Sequence, residues 1–148
     1  MTQLREKGSY EISAEMKEKL ADFEGGYATE EETKDAIRTT YERTGYVMDT
    51  HTAVASSVCA RYREESGDQK KCLIASTASP YKFIHSVMSA IDEKYASVDE
   101  FELIDELSRI SGTEIPGAIK EIRSAQIRHN RECDADKMKD MVKGILGV

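Results

Sequence analysis

The chain has 148 residues, 39% hydrophobic and 33% charged, with 28 acidic against 21 basic side chains and a net charge of −7. That length fits one domain, 1–148, able to bury roughly two thirds of the surface its unfolded form exposes, and the acidic balance lacks the positive footprint that a phosphate backbone requires, which excludes nucleic acid as a partner. The opening MTQLREKGSYEIS has no signal-like apolar run and no stretch approaches the roughly 18 apolar residues of a membrane span, so a cytoplasmic chain with no membrane contact is expected.

In chain order, Ser13 predicts a helix through about Glu24, with Met16, Leu20 and Phe23 on one face and Gly25-Gly26 as its stop. Thr29 with Glu32 forms a capping-box pattern, opening a helix that turns Ala36, Ile37, Thr40 and Tyr41 inward and ends near Thr44-Gly45. Tyr46 to Met48 reads as a very short strand. A further helix begins at Asp49 or Thr50, its small residues Ala53, Ala55, Ser56, Ser57 and Ala60 allowing close approach to a neighbour, and Ser66-Gly67-Asp68 ends it.

Lys71 to Ala75 is an apolar run bounded by turn chemistry, the pattern of a strand covered on both faces. Pro80 suits the first turn of a helix that buries Phe83, Ile84, Val87, Met88 and Ile91. Ser97 with Glu100 predicts the cap of a helix reaching about Ile110, with Phe101, Ile104, Leu107 and Ile110 packed and Gly112 closing it. Pro116 opens a short helix to about Ile122. Ser124 to Cys133 reads as extended, and Asp134 or Asp136 starts a last helix carrying Met138, Met141, Val142, Ile145 and Leu146. Two strands do not make a stable sheet, so further strands are expected from a longer polypeptide.

The chemistry-bearing residues are few. Cys59, Cys72 and Cys133 are an odd number at wide spacing, which predicts reduced thiols acting as filler. Asp49 and His51 allow two readings, a hydrogen-bonded pair at a ligand edge or a helix cap with an imidazole beside it. No metal site is expected, because no further ligand stands at a suitable spacing. His85 and His129 are isolated. Ser76-Thr77-Ala78-Ser79 follows the apolar run at a strand-to-helix turn, where open α/β sheets hold ligands. Taken alone, Thr77 reads as a turn or helix cap, and Ser79 before Pro80 as an N-cap.

Two segments, Asp49-Thr50-His51-Thr52-Ala53-Val54-Ala55 and Ser76-Thr77-Ala78-Ser79-Pro80-Tyr81-Lys82-Phe83, resemble the carboxy-terminal part of threonine synthase, a pyridoxal-phosphate (PLP) enzyme of the tryptophan-synthase-like fold type. Phe23 to Glu32 and Arg128 to Asp134 extend the similarity to nearly the whole chain. Thr50 stands where the family has Pro, and Ser79 where it has His, which leaves the role of position 79 open.

The resemblance implies an α/β fold, strongly helix-rich: a C-terminal fragment of a PLP-dependent fold-type II enzyme with one or two short parallel strands and about six helices. It implies that Thr77 meets the pyridine nitrogen of PLP, with Ser76, Asp49 and His51 as further cofactor-edge candidates. Lys82 matches a family lysine but not the one that forms the internal aldimine. That lysine and the phosphate loop precede the matched region, so no catalytic residue is expected in this chain, PLP is not expected to be held covalently by it, and it is expected to be inactive alone. Met1 is then an internal methionine or an added start. The implied parent converts O-phospho-L-homoserine and water to L-threonine and phosphate. An uncovered sheet edge implies possible self-association. Two alternatives are a fragment of another fold-type II PLP lyase and a non-catalytic helical interaction module.

Overall fold

Capping chemistry sets most of the helix boundaries. The computed structural model describes residues 1–148 as two compact units, Met1–Thr113 and Glu114–Val148. The first holds α1 (Thr2–Lys7), α2 (Ala14–Lys19), α3 (Glu30–Thr44), α4 (Thr50–Ser66), α5 (Ile84–Ile91) and α6 (Glu100–Ser111). The second holds α7 (Gly117–Ser124) and α8 (Met138–Leu146). No helix is long and apolar enough to cross a membrane.

The capping box at α3 forms as its sequence predicts: the Glu32 N–H donates to Thr29 Oγ1 at 3.2 Å and the Thr29 N–H donates to Glu32 Oε2 at 2.7 Å. Helices α3, α4 and α6 stop at Gly45, Gly67 and Gly112, whose φ values of 74°, 70° and 66° are open to glycine at no steric cost. Helix α3 packs against α4 and α5, and α5 packs against α6. Ile37, Ala53, Val87, Met88, Leu103 and Leu107 are the sealed centre of this unit, and each large side chain there stabilises it by about 1.5–3 kcal/mol.

The helix-rich half of the expected α/β fold holds, and the strands do not: the chain contains no strand. Lys71 to Ala75 is an irregular, uncovered segment in which Leu73 is 98% and Ile74 39% exposed. A strand satisfies its backbone only by pairing with another, and unit one offers no sheet edge. Tyr46 to Met48 is likewise a link between α3 and α4, held by burial of Val47 and Met48 rather than by pairing.

Four smaller corrections have local causes. Ser13 does cap α2, accepting from the Met16 N–H at 3.2 Å, but the helix ends at Lys19 because its apolar face lacks a partner; Phe23 is 73% exposed. Gly25-Gly26 is not the stop of that helix, and Gly26 has no positive φ. It is small because a Cβ there would lie 2.6 Å from Val58 Cγ1 on α4. Ser97 loses the α6 cap to Asp99, whose carboxylate accepts from the Phe101 N–H at 2.9 Å, and Leu103 rather than Phe101 is buried. Pro80 opens a 3-10 turn, Pro80–Phe83, before α5 begins, and Tyr81 rather than Phe83 enters the core. Helix α1, stopped at Gly8 with φ 71°, has no counterpart among the predicted elements.

In unit two, Pro116 stands before the first turn of α7, Ser124 closes that helix and residues 125–134 have no regular structure where an extended Ser124 to Cys133 was expected, and a 3-10 turn, Ala135–Lys137, leads into α8. The unit's apolar residues Ile122, Met138, Val142, Ile145 and Leu146 are exposed.

Candidate functional site

Asp49 ends the link after α3 and caps α4. Its side chain is 1% exposed, a position that a carboxylate tolerates only when its oxygens are hydrogen-bonded. Oδ1 accepts from the His51 N–H at 2.9 Å and the Thr52 N–H at 3.3 Å. Oδ2 accepts from the Thr52 hydroxyl in a short contact and from the Ser76 hydroxyl at 3.3 Å. The Thr52 and Ser76 hydroxyl oxygens lie 3.0 Å apart. Burial pushes the Asp49 carboxyl up, but the hydrogen bonds from Thr52, His51 and Ser76 together outweigh it and hold the group below its ordinary value of 3.8. Asp49 is therefore a buried anion fixed by four donors.

This cluster joins two of the sequence motifs. Asp49 and Thr52 come from the DTHTAVA segment, and Ser76 from the segment that follows Cys72-Leu73-Ile74-Ala75. Of the sequence-predicted residues, Asp49, Ser76 and His51 are brought together. His51 reaches Asp49 Oδ1 with Nδ1 at 3.3 Å, and its ring lies 5.4 Å from that of Phe83 at 42°. For Asp49 this pattern supports the cap reading.

Thr77 is one residue beyond Ser76, exposed, and outside the hydrogen-bonded cluster. Ser79 caps the Pro80 turn by accepting from the Tyr81 N–H at 3.3 Å. Lys82 is exposed, with Nζ 5.3 Å from the Phe83 ring centre. His85 and His129 are exposed. No group of three or more metal-ligating side chains occurs. Next to the cluster, a groove of about 680 Å³ is lined by Gly26, His51, Val58, Tyr62, Leu73 and Ile74 among others.

Two features were missed in the sequence. Tyr81 is buried and its hydroxyl donates to the Thr113 carbonyl at 3.2 Å; the signal was its spacing of three and seven from Ile84 and Met88, one helical face. Thr52 is the buried partner of Asp49, and its place three residues after the cap was the available clue.

Residues 52–140 match the family model described as "Threonine synthase, C-terminal". The chain is 36% identical over 94 residues to the human protein "Threonine synthase-like 1", covering 62% of this chain and 12% of that one. The mouse protein of the same name is 40% identical over 73 residues, covering 49% and 9%. "Threonine synthase" of Schizosaccharomyces pombe is 34% identical over 93 residues, covering 62% and 18%. The alignments thus span less than a fifth of the length of these relatives.

Proposed function

Because the chain belongs to the threonine synthase carboxy-terminal family, we propose that it forms part of a PLP-dependent enzyme that converts O-phospho-L-homoserine and water to L-threonine and phosphate. The observation that carries this reading is the family match over 52–140, which includes all but the first two residues of α4, with Thr52, Ser76, Thr77 and the Ser79-Pro80 turn. Action in the cytoplasm belongs to the same proposal.

The residues present fit one edge of the cofactor. The Thr77 hydroxyl is exposed and offers one donor and one acceptor to a ring nitrogen. Being neutral, it gives little stabilisation to a protonated ring. Ser76, tied to Asp49 and Thr52, anchors the backbone one residue before Thr77. Asp49 is a positioning residue, since its oxygens already accept from four donors. His51, with its side chain 55% exposed, stands at the rim.

The N-terminus of α4 does not serve as a phosphate cradle, because the Asp49 carboxylate occupies its His51 and Thr52 N–H groups. The cofactor, when bound, supplies the electron sink for substrate carbanion chemistry. This chain's share is to orient the ring and to keep that edge in register, so we expect no turnover from it alone.

Two measurements test the reading. The purified chain, mixed with PLP and O-phospho-L-homoserine, releases phosphate no faster than a blank; robust release refutes the one-edge role. Residues 52–140 placed into the matching segment of the S. pombe protein preserve phosphate release, and Thr77→Val in that chimera lowers kcat roughly tenfold, the loss of one hydrogen bond of about 1.4 kcal/mol, with Thr77→Ser restoring most of it. A folded chimera indifferent to Thr77→Val removes Thr77 from the site.

A further inference from the structure

Cys59 and Cys72, thirteen residues apart, meet in the fold. Cys59 sits half-buried on α4, and its Sγ lies 2.8 Å from Sγ of Cys72 on the exposed segment that leads to Ser76. A covalent S–S bond measures about 2.05 Å, so closure asks for less than an ångström of movement. Cys72 stands on a segment without regular structure, which can follow. The two thiols are not equivalent. Cys72 is open to an incoming reagent, whereas the hydrogen bond to Cys72, then burial, push the Cys59 thiol up against the opposing pull of Arg63.

We propose that Cys59 and Cys72 form a redox-responsive clasp, closed by thiol–disulfide exchange with a low-molecular-weight disulfide of the glutathione type, which pins the segment carrying Ser76 and Thr77 onto α4. The Cys72 thiolate attacks one sulfur of glutathione disulfide, whose S–S bond breaks and releases one glutathione thiolate, leaving a mixed disulfide. Cys59 then loses its proton to solvent, attacks Cys72 Sγ and expels the second glutathione. Two protein thiols give up two electrons and two protons, and one glutathione disulfide becomes two thiols. Exchange of this kind is open to intracellular chains, where such bonds are transient and redox-sensing.

The clasp would act on a weakly held segment. Between Gly67 and Ser79 its side-chain ties to α4 outside the thiol pair lie at two places: at Asp68, whose N–H donates to Ser66 Oγ at 3.2 Å and whose carbonyl accepts from the Arg63 Nε–H at 3.2 Å, and at Ser76, which contacts Thr52 and the α4 cap Asp49. A bond at Cys72 falls between these two ties and restricts the part that includes Leu73 and Ile74. The clasp stands independently of any cofactor role for Thr77.

The test uses the full chain, in wild-type form and with Cys133→Ser so that only the pair reacts, equilibrated with glutathione disulfide and read by intact mass and peptide mapping. We expect loss of two hydrogens at the pair, one peptide linking Cys59 to Cys72, no glutathione retained on either of them, and reversal by dithiothreitol. Tryptic cleavage after Lys70 and Lys71 slows about fivefold in the oxidised form, since restricting the loop lowers its open population. In the Cys133→Ser background, Cys59→Ser keeps a single glutathione on Cys72. Two retained glutathiones, disulfide-linked dimers in place of the internal bond, or thiols that stay unreacted overturn the clasp. Circular dichroism of each variant verifies folding, and the wild-type map decides the question should a variant misfold.

Discussion

Asp49 shows how one buried charge can tie two distant segments together. Its carboxylate satisfies two N–H groups of the α4 start and reaches a hydroxyl 27 residues away in sequence. Asp49→Ala removes a cap, at about 1 kcal/mol, and leaves the buried Thr52 hydroxyl short of an acceptor, at about 1–3 kcal/mol more. We expect a loss of about 2–3 kcal/mol in urea unfolding at pH 7. Asp49→Asn keeps one acceptor oxygen and costs less. Because the folded-state value lies below the ordinary 3.8, the charge stabilises the fold above about pH 4, and that stabilisation is lost as pH falls through the folded value. Asp49→Asn therefore flattens the acid limb of the stability profile; an unchanged limb shows that the four donors do not lower the carboxyl.

Elements meet in this chain through small residues and caps as well as through the apolar centre. The segment before α3 crosses α4 at Gly26, where the Val58 side chain leaves no space for a methyl group. Close by, Arg61 Nη2 of α4 pairs with Glu32 Oε1 of α3 at 2.9 Å, and its guanidinium lies 5.7 Å from the Tyr27 ring centre. Valine is stiff at χ1 and cannot swing aside, so Gly26→Ala is expected to destabilise by about 1–3 kcal/mol through overpacking. The double variant with Val58→Ala recovers most of that loss. Chemical unfolding of the four proteins checks it, and additive effects sink the idea of a direct steric conflict. Farther along, Tyr95 donates to Glu106 at 2.6 Å while Arg109 grips the same carboxylate with two N–H groups at 2.6 Å. Led by the Arg109 bonds, this holds Glu106 down to about 2 and ties the 93–95 turn to α6.

Across the whole molecule, unit one has a sealed centre and also a groove bordered by apolar side chains that are left uncovered, Leu73 and Ile74 foremost. Self-association was expected through a sheet edge. With no strand present, the uncovered segment itself is the surface we propose for it. Sedimentation velocity across a micromolar concentration series is expected to show association that Leu73→Ser with Ile74→Ser suppresses. A monomer at every concentration removes self-association and favours a partner of another kind for that surface.

The capping box at Thr29 and Glu32, the Asp49 cap and the glycine stops at Gly45, Gly67 and Gly112 were all legible in the residues, because each is an interaction among neighbours a few positions apart. The family was legible too, since its motifs are short and ordered. Lys71 to Ala75 was not: an apolar run bounded by turn residues has one signature whether it pairs as a strand or lies uncovered, and only a partner edge distinguishes them. The same holds for Ser76 reaching Asp49, for Gly26 against Val58, and for Cys59 beside Cys72. Those contacts link positions 13 to 32 residues apart. Local capping chemistry is complete within one turn of helix, whereas these juxtapositions arise only when α4 has packed and the chain has come back across it.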